Sequence, residues 1–466
     1  MANSSAMACP IPESDPVMTA ILSWSFGMGP FREVRGSSEK QPELELFPRG
    51  ISRFAARQIG HKHYKTGHGG RLAQERVGLP DTGRSAANVI KDSGKSRGLE
   101  VETMIVIECT GDGRSRGRMH GEAARGLIRD GLQRWADATA GAAGIPITRY
   151  VSAFLSDTAL LAAIETRLPD LVEEMRGIAD GAGVPFDQVA AYNLMDEQWW
   201  YDLERTPNAE PGCSVVAFAD QGTGAVLLGQ NMDLPAYMDG GQVVLRIQAP
   251  GQPEELVLSA AGLLGLTGVN RAGMGLCVNT LLMLRHSRSG LPVTAVIRGA
   301  LRHERRDAAL AFLQSVSHAS GQHYAVGDPG GVMGLECSAT GKTLSPPASE
   351  SALIHTNHPL ANHEIDPVAE AALEQRGSIA DSKRRLEFLN EQSASIRQIA
   401  DIRRVLVDRS VPICKTPTRE RNSTTFGSVI FELTPSPRAH FCPGLPTSEQ
   451  WEQLGWSLAA QEGPAG

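Results

Sequence analysis

Cys213 follows Gly212 and precedes Ser214-Val215-Val216-Ala217-Phe218, so a thiol stands where a loop enters an apolar run of strand type. That placement permits a particular chemistry. If the Gly212–Cys213 bond is cut, Cys213 becomes a chain terminus carrying a nucleophile and a base on one residue. Its α-amino group has an ordinary pKa of about 8 and its thiol one of about 8.5. The amine can take the thiol proton directly or through one water, and no histidine is required. A residue without Cβ at position 212 suits the cut, because it admits the strained backbone in which the thiol attacks the preceding carbonyl. The same two residues also read as a turn followed by a core cysteine. Asp233, in Gly229-Gln230-Asn231-Met232-Asp233, lies in a hairpin that returns to Cys213, where its carboxylate can hold the new ammonium. Taken alone, it reads as a turn residue.

The elements that must position these groups follow from periodicity. Met104 to Cys109 opens with a strand, and helical spacing runs through 123–139, 149–167, 169–182 and 186–200. The last of these ends with Asn193, Asp196, Glu197, Trp199 and Trp200. This end reads either as a solvated terminus with aromatic anchors or as a substrate-facing rim. The polar loop 202–211, with two prolines, has the character of an accessible processing site. Short strands are expected at 214–219, 225–231, 242–247, 256–260, 266–270 and 273–279. Helices follow at 292–301 and 306–315, then strands near 324–327, 332–338 and 351–355. One long helix over 368–390 and strands at 425–433 and 439–442 close the pattern. Two stacked antiparallel sheets covered by helices on both sides account for this order.

Composition excludes several functions. A net charge of −7 gives no basic footprint for nucleic acid and no polybasic membrane patch. No window approaches the roughly 18 consecutive apolar residues that span a bilayer. The apolar patch Val17–Phe26 follows Glu13 and Asp15 rather than a basic segment, unlike a signal peptide. The seven cysteines are scattered and never form a C-x-x-C pair, which fits a reducing, cytoplasmic setting. Residues 1–103 are rich in Gly, Ser, Arg, Lys, His and Pro without sustained period and read as a disordered extension. Met104 would serve as the first residue of a shorter product. His61, His63 and His68 have no acidic or thiol partner nearby, so no metal is expected. Gly111-Asp112-Gly113 misses the dinucleotide pattern because Gly117 falls one residue late, and Gly341-Lys342-Thr343 lacks the first glycine of a phosphate loop. No cofactor is implied.

Five stretches occur in a telling order: Gly212-Cys213-Ser214-Val215-Val216-Ala217, Gly229-Gln230-Asn231-Met232-Asp233, Gly268-Val269-Asn270-Arg271-Ala272-Gly273-Met274, Gly334-Leu335-Glu336-Cys337-Ser338 and His355-Thr356-Asn357-His358. Together they resemble the acyl-CoA:6-aminopenicillanate acyltransferase family. Upstream, Arg116-Gly117-Arg118-Met119-His120-Gly121 and Gly177–Val184 are similar to that family's propeptide. The resemblance covers about 104–446. It implies an α+β fold, the four-layer αββα sandwich of the N-terminal nucleophile hydrolases, made as a precursor that cleaves itself between Gly212 and Cys213. Residues 104–212 would form the helical small subunit and 213–466 the catalytic one, associated as a heterodimer.

The resemblance also implies roles. Cys213 is the nucleophile that forms a thioester, Asp233 the carboxylate beside its amine, Asn357 the oxyanion donor and Ser338 a serine needed for processing and activity. Asn279 is a further candidate for contact with substrate or oxyanion, and equally a satisfied core amide. A Ser-Arg pair is expected near Arg421-Asn422-Ser423-Thr424-Thr425, where the match slips, leaving Arg421 as a candidate guanidinium for a substrate carboxylate. Water at the thioester gives an amidohydrolase of small N-acyl amides or peptides. An amine or CoA thiol gives an acyltransferase, with acyl-CoA as a possible partner, and a chain that never matures would be a binding or scaffold protein.

Overall fold

The computed structural model describes residues 104–203, 212–219, 224–418, 422–447 and 449–457, all within the compact unit Ser93–Gly466. The expectations for residues 1–103 and for Arg421 lie outside the described residues. In chain order, β1 (Ile105–Thr110) precedes α1 (Gly113–Ala123), α2 (Arg125–Ala143), α3 (Ile147–Asp157), α4 (Leu160–Arg167), α5 (Pro169–Ala182), α6 (Phe186–Asn193) and α7 (Met195–Tyr201). Strands β2 (Ser214–Ala219), β3 (Val226–Pro235), β4 (Gln242–Gln248), β5 (Glu255–Ala260), β6 (Thr267–Asn270) and β7 (Gly275–Thr280) come next, then α8 (Val293–Leu301) and α9 (Arg306–Ser315). The remainder is β8 (Gln322–Asp328), β9 (Gly331–Cys337), β10 (Lys342–Leu344), β11 (Ala352–His355), α10 (Pro367–Gln375), α11 (Ser378–Ser393), α12 (Ile399–Leu406), β12 (Ser423–Leu433), β13 (Arg438–Pro443) and β14 (Glu452–Leu454).

These strands make two sheets, ordered β1-β4-β5-β6-β7-β8-β9-β10 and β11-β2-β3-β12-β13-β14. Strand alternation shows how they stack. Val215, Ala217, Leu228, Val429 and Phe431 face the first sheet in the main core, while Val216, Phe218, Leu227 and Ile430 pack on Leu389 of α11 and on Ile402, Val405 and Leu406 of α12. On the far side of the first sheet, α8 packs on β6 and β7, α9 on β8 and α1 on β1. The result is a four-layer αββα arrangement. One edge departs from the expected antiparallel pattern: β1 runs parallel to β4, with Ile105 opposite Val243. The long helical excursion after β1 supplies the crossover that a parallel pair needs.

The segment 113–123, which periodicity leaves between the first strand and a helix beginning at 123, is helix α1. Its glycines explain why. Gly113, Gly117 and Gly121 recur every fourth residue and lie along α5, Gly113 against the Asp170 backbone and Gly117 and Gly121 against the stretch holding Gly177 and Gly181, so that the two backbones touch. A Cβ on Gly117 would land in the carbonyl oxygen of Glu174, and one on Gly181 in that of Arg118. Composition read residue by residue favours a loop, but tertiary contact overrides it. Three expected long helices are likewise broken. The chain separates α3 from α4 where Ala159 N–H donates to Arg288 O (2.7 Å), α6 from α7 at Leu194, and α10 from α11 at Gly377, whose φ is +74°.

A buried ion cluster ties the helices before Cys213 to the strands and helices after it. Glu174 of α5 meets Arg116 of α1 at 2.8 Å and Arg298 of α8 at 2.7 Å; Arg298 also meets Glu255 of β5 at 3.2 Å. At its rim, Asp170 joins Arg116 and Arg302. Each charge has several partners, so removing one would strand the others in a medium that tolerates no lone ion.

The α1–α5 contact yields a first prediction. Gly117→Ala should lower the unfolding free energy by about 3 kcal/mol or prevent folding, since backbone atoms cannot retreat as a side chain would. Gly126→Ala, whose Cβ meets nothing within 4 Å, should change it by less than about 0.5 kcal/mol. Urea denaturation of the two variants reads the contrast.

Candidate active site

Strands β2 and β3 form a hairpin in which Ser214 faces Asn231 and Val215 faces Gln230. One step past that register, Cys213 comes against Met232 and Asp233: its thiol lies 3.5 Å from Met232 Sδ and donates to Asp233 O at 3.8 Å. Strand β12 continues the set, with Thr425 opposite Asp233 and its hydroxyl donating to Asp233 Oδ1 at 2.7 Å. Three adjacent strand ends thus carry the thiol, the carboxylate and a hydroxyl that orients it.

Gly212 is seated tightly against two charged side chains. A Cβ there would stand 2.6 Å from Asp233 Oδ2 and 2.6 Å from Lys415 Nζ, so the peptide on the amino side of Cys213 is pressed against a buried carboxylate and a buried ammonium. Asp233 Oδ2 accepts no hydrogen bond among the described residues. Burial pushes the Asp233 carboxyl up to about 7, against the pull of Lys415 and of the Thr425 hydroxyl. Burial, with the Asp233 charge second, pushes the Cys213 thiol up to about 12. In the intact chain the thiol is therefore protonated and a weak nucleophile.

The carbonyl of Cys213 is held from two sides, by Arg385 Nη1 at 2.8 Å and Asn279 Nδ2 at 3.1 Å. Arg385 is fully buried, pairs with Asp381 at 3.3 Å, and extends Nη2 to Asn357 Oδ1 at 2.9 Å. One guanidinium thus links Cys213 to Asn357. Asn357 donates from Nδ2 to Thr280 O at 3.1 Å and from its backbone to Ser382 Oγ at 2.7 Å, which among the described residues leaves the second N–H on Nδ2 unspent. Asn279 has no donor to spare: Nδ2 serves Cys213 O and His355 O, and Oδ1 meets His323 Nδ1. Its geometry is that of a positioning amide.

The structure does not bring Ser338 to the thiol. Its hydroxyl donates to Gly341 O and accepts from the N–H groups of Thr340 and Gly341, closing the turn after β9. Arg421 lies outside the described residues. His355 and His358 brace the loop around Asn357, His355 against Glu336 (2.8 Å) and the stacked ring of His323, His358 against Ser382 Oγ (2.8 Å).

The thiol opens on a narrow cavity of about 40 Å³, walled by Met232, Leu266, Val278, Ile297 and Trp199, with Asp196 in the same wall. Side chains from both sides of the Gly212–Cys213 bond line it. Such a space suits a small apolar group attached to an attacked carbonyl.

Residues 220–441 match the family described as acyl-coenzyme A:6-aminopenicillanic acid acyl-transferase. The acyl-coenzyme A:6-aminopenicillanic-acid-acyltransferase 40 kDa form of Emericella nidulans is 28% identical over 278 residues, covering 58% of this chain and 74% of that one. This chain is similar to those acyl-transferases. The matched span holds Asp233, Asn279, Ser338 and Asn357 and begins after Cys213. Among solved structures, penicillin V acylase from Agrobacterium tumefaciens aligns at TM-score 0.37 and 16% identity, over 52% of this chain and 86% of that one. A mutant conjugated bile acid hydrolase from Clostridium perfringens aligns at TM-score 0.34 and 10% identity, over 53% of this chain and 97% of that one.

Around the part of the chain shared with the acyl-transferases, sequence reasoning passed over Arg385, Lys415 and Thr425. Asp381 and Arg385 at i and i+4 on a helix look like an ordinary solvated ion pair, and nothing in the sequence marks that both are buried. Lys415 sits in a loop without period, and nothing in its neighbours marks it.

The Asp233 carboxyl gives a second prediction. Its folded pKa is above the unfolded value, so the stability its proton contributes is complete below about pH 4 and lost as pH rises through about 7. In a chain kept intact by Cys213→Ala, adding Asp233→Asn should remove that loss. The double variant should gain on the order of 4 kcal/mol over the single one between pH 4 and pH 8, read from urea midpoints.

Proposed function

We propose that the chain cuts itself between Gly212 and Cys213 and then hydrolyses the amide bond of a small N-acyl compound or peptide through a thioester on Cys213. The observation that carries this reading is the seat of Gly212, where a Cβ would stand 2.6 Å from both Asp233 Oδ2 and Lys415 Nζ and would have to displace that buried charged pair. A core cysteine needs no such seat. A new α-ammonium on Cys213 would meet, at Asp233 Oδ2, a buried carboxylate oxygen that lacks a donor among the described residues.

In the cut, the thiol adds to the Gly212 carbonyl, the C–N bond to Cys213 breaks as the nitrogen takes a proton, and the resulting thioester is hydrolysed. Gly212 leaves as a carboxylate and Cys213 gains an amine. That ammonium offsets the Asp233 charge that had helped to hold the thiol protonated. In turnover the amine takes the thiol proton, sulfur attacks the amide carbonyl, and the unspent N–H of Asn357 receives the oxyanion. The amine returns the proton to the leaving nitrogen, and water resolves the thioester. Arg385 and Asn279 act as positioning residues, fixing the Cys213 carbonyl and the Asn357 amide.

Acyl transfer to an amine or to CoA is the second reading, favoured by the acyl-transferase activity in the names of the matched family and relative. It differs only in what attacks the thioester. The two fragments would stay together through β1–β4 pairing and the Glu174 ion cluster.

Denaturing electrophoresis tests the cut. The protein should give two fragments, the larger beginning at Cys213, while Cys213→Ala gives one band and Gly212→Ala is cut slowly or not at all. Asn357→Ala should lower kcat by about 10²–10³ on the best N-acyl amide. Full amidase activity in an intact chain would overturn the proposal. Release of free acid without an acceptor amine separates hydrolysis from transfer.

A further inference from the structure

The histidine two residues before Asn357 has no neutral form that fits its surroundings. His355 ends β11 and is fully buried. Its Nε2 lies 2.8 Å from Glu336 Oε1 and its Nδ1 2.7 Å from the carbonyl oxygen of Thr356. A carbonyl oxygen only accepts. Glu336 only accepts as well: Oε1 takes the N–H of Leu360 and Oε2 those of Ala361 and Asn362, bonds that favour the ionised carboxylate. Each neutral tautomer of imidazole has one bare nitrogen, so either would set a lone pair against an oxygen at hydrogen-bond distance. With a proton on both nitrogens, both contacts are bonds.

The proton on Nδ1 acts on the oxyanion donor. Thr356 O and Asn357 N–H are the two ends of one planar peptide group. His355 Nδ1–H holds the first end and Ser382 Oγ the second, each at 2.7 Å. The plane from which the Asn357 side chain projects is thus pinned at both ends, and Thr280 O and Arg385 then hold the side-chain amide. Taking the proton from Nδ1 would turn the first contact repulsive and free the plane to rotate.

The rings around His355 leave the charge to it. His323 of β8 stacks on it with centroids 3.7 Å apart. Asn279 spends Nδ2 on Cys213 O and His355 O, so its Oδ1 accepts from His323 Nδ1, and His323 is neutral with a bare Nε2. Burial first, and the neighbouring His355 second, hold that ring neutral. His358 is pushed down to about 4 by burial and then by His355, with Lys383 and Arg385 of α11 acting in the same direction. Arg385 has Asp381 as its partner, which leaves Glu336 to face His355. A buried ion pair adds little stability over well-packed apolar side chains. What this one adds is direction, two N–H bonds set by a rigid ring between the end of β11 and β9.

Resting on the reading of Asn357 as the oxyanion donor, we propose that His355 is an imidazolium in the working protein and the positioning residue for that donor, its Nδ1 proton holding the 356–357 peptide in the orientation that aims the Asn357 amide.

Two measurements on the self-processed protein test this. Nitrogen-15 spectra of histidine-labelled protein near neutral pH, assigned through the backbone, should show a hydrogen on both ring nitrogens of His355 and on one of His323. A bare ring nitrogen on His355 overturns the proposal. In amide turnover, His355→Gln, which carries no charge and cannot donate along both directions of the ring, should lower kcat by about 10- to 100-fold with KM within about twofold. In an Asn357→Ala background the same change should cost less than about twofold, because the group being aimed is gone. Equal losses in the two backgrounds reveal a general structural role and overturn the proposal. If His355→Gln fails to fold, the spectrum of the unsubstituted protein decides. A protein without amidase activity, or Asn357→Ala with undiminished kcat, defeats the function proposed above instead, and the spectrum still decides the state of His355.

Discussion

Asp233 and the peptide on the amino side of Cys213 occupy one buried space, and much of the surrounding architecture serves to keep them there. A carboxylate away from water is tolerated only when its partners are fixed. Here Thr425 holds one oxygen, Lys415 stands by the other, and both residues reach the site through β12 and the loop hydrogen-bonded to it, where Lys415 N–H donates to Thr425 Oγ1 and Thr425 N–H to Lys415 O. Strand β3 is clamped in turn by Asn231, whose Nδ2 donates to Leu406 O and Ile413 O. The second sheet therefore acts as a jig for a few atoms at its end. The first sheet closes the cavity from the other side through Val278 and Thr280.

The polar residues around the thiol divide by what they hold. Arg385 and Asn279 grip the carbonyl of Cys213 itself and so fix the backbone that carries the sulfur. Asn357 is held by Arg385, Thr280 and Ser382 and keeps one N–H in reserve. Glu336, accepting from His355 and from three successive backbone N–H groups at 360–362, makes the loop that carries Asn357 rigid. Such layered support suits a donor that must be in place before charge develops.

Much of the fold was legible because its strands are short, apolar and separated by Gly, Asn and Pro. The edges of β2, α9 and α5 fall where periodicity places them. Helix α1 was not legible: its glycines make sense only once Gly177 and Gly181 lie opposite, and a linear reading cannot see a partner some 60 residues away. Gly377, by contrast, was a visible warning inside a supposed continuous helix, and its left-handed backbone ends α10. Around the thiol, Cys213 and Asp233 could be named from residue type and placement, and Asn357 only from the resemblance to the acyltransferase family. Arg385 and Lys415 could not, because a long basic side chain on a helix or loop announces solvent unless burial is known. Ser338 shows the converse, a suggestive residue whose bonds all go to its own turn.

The parallel pairing of β1 with β4 has a consequence for the lifetime of a severed molecule. β1 and the helices after it would belong to one piece and β4 to the other, so folding that begins as a single-chain event could not be retraced once the pieces drifted apart. Reassembly would become a bimolecular encounter governed by dilution, and the durability of the working form would be set by how slowly an edge strand and a knot of ion pairs let go.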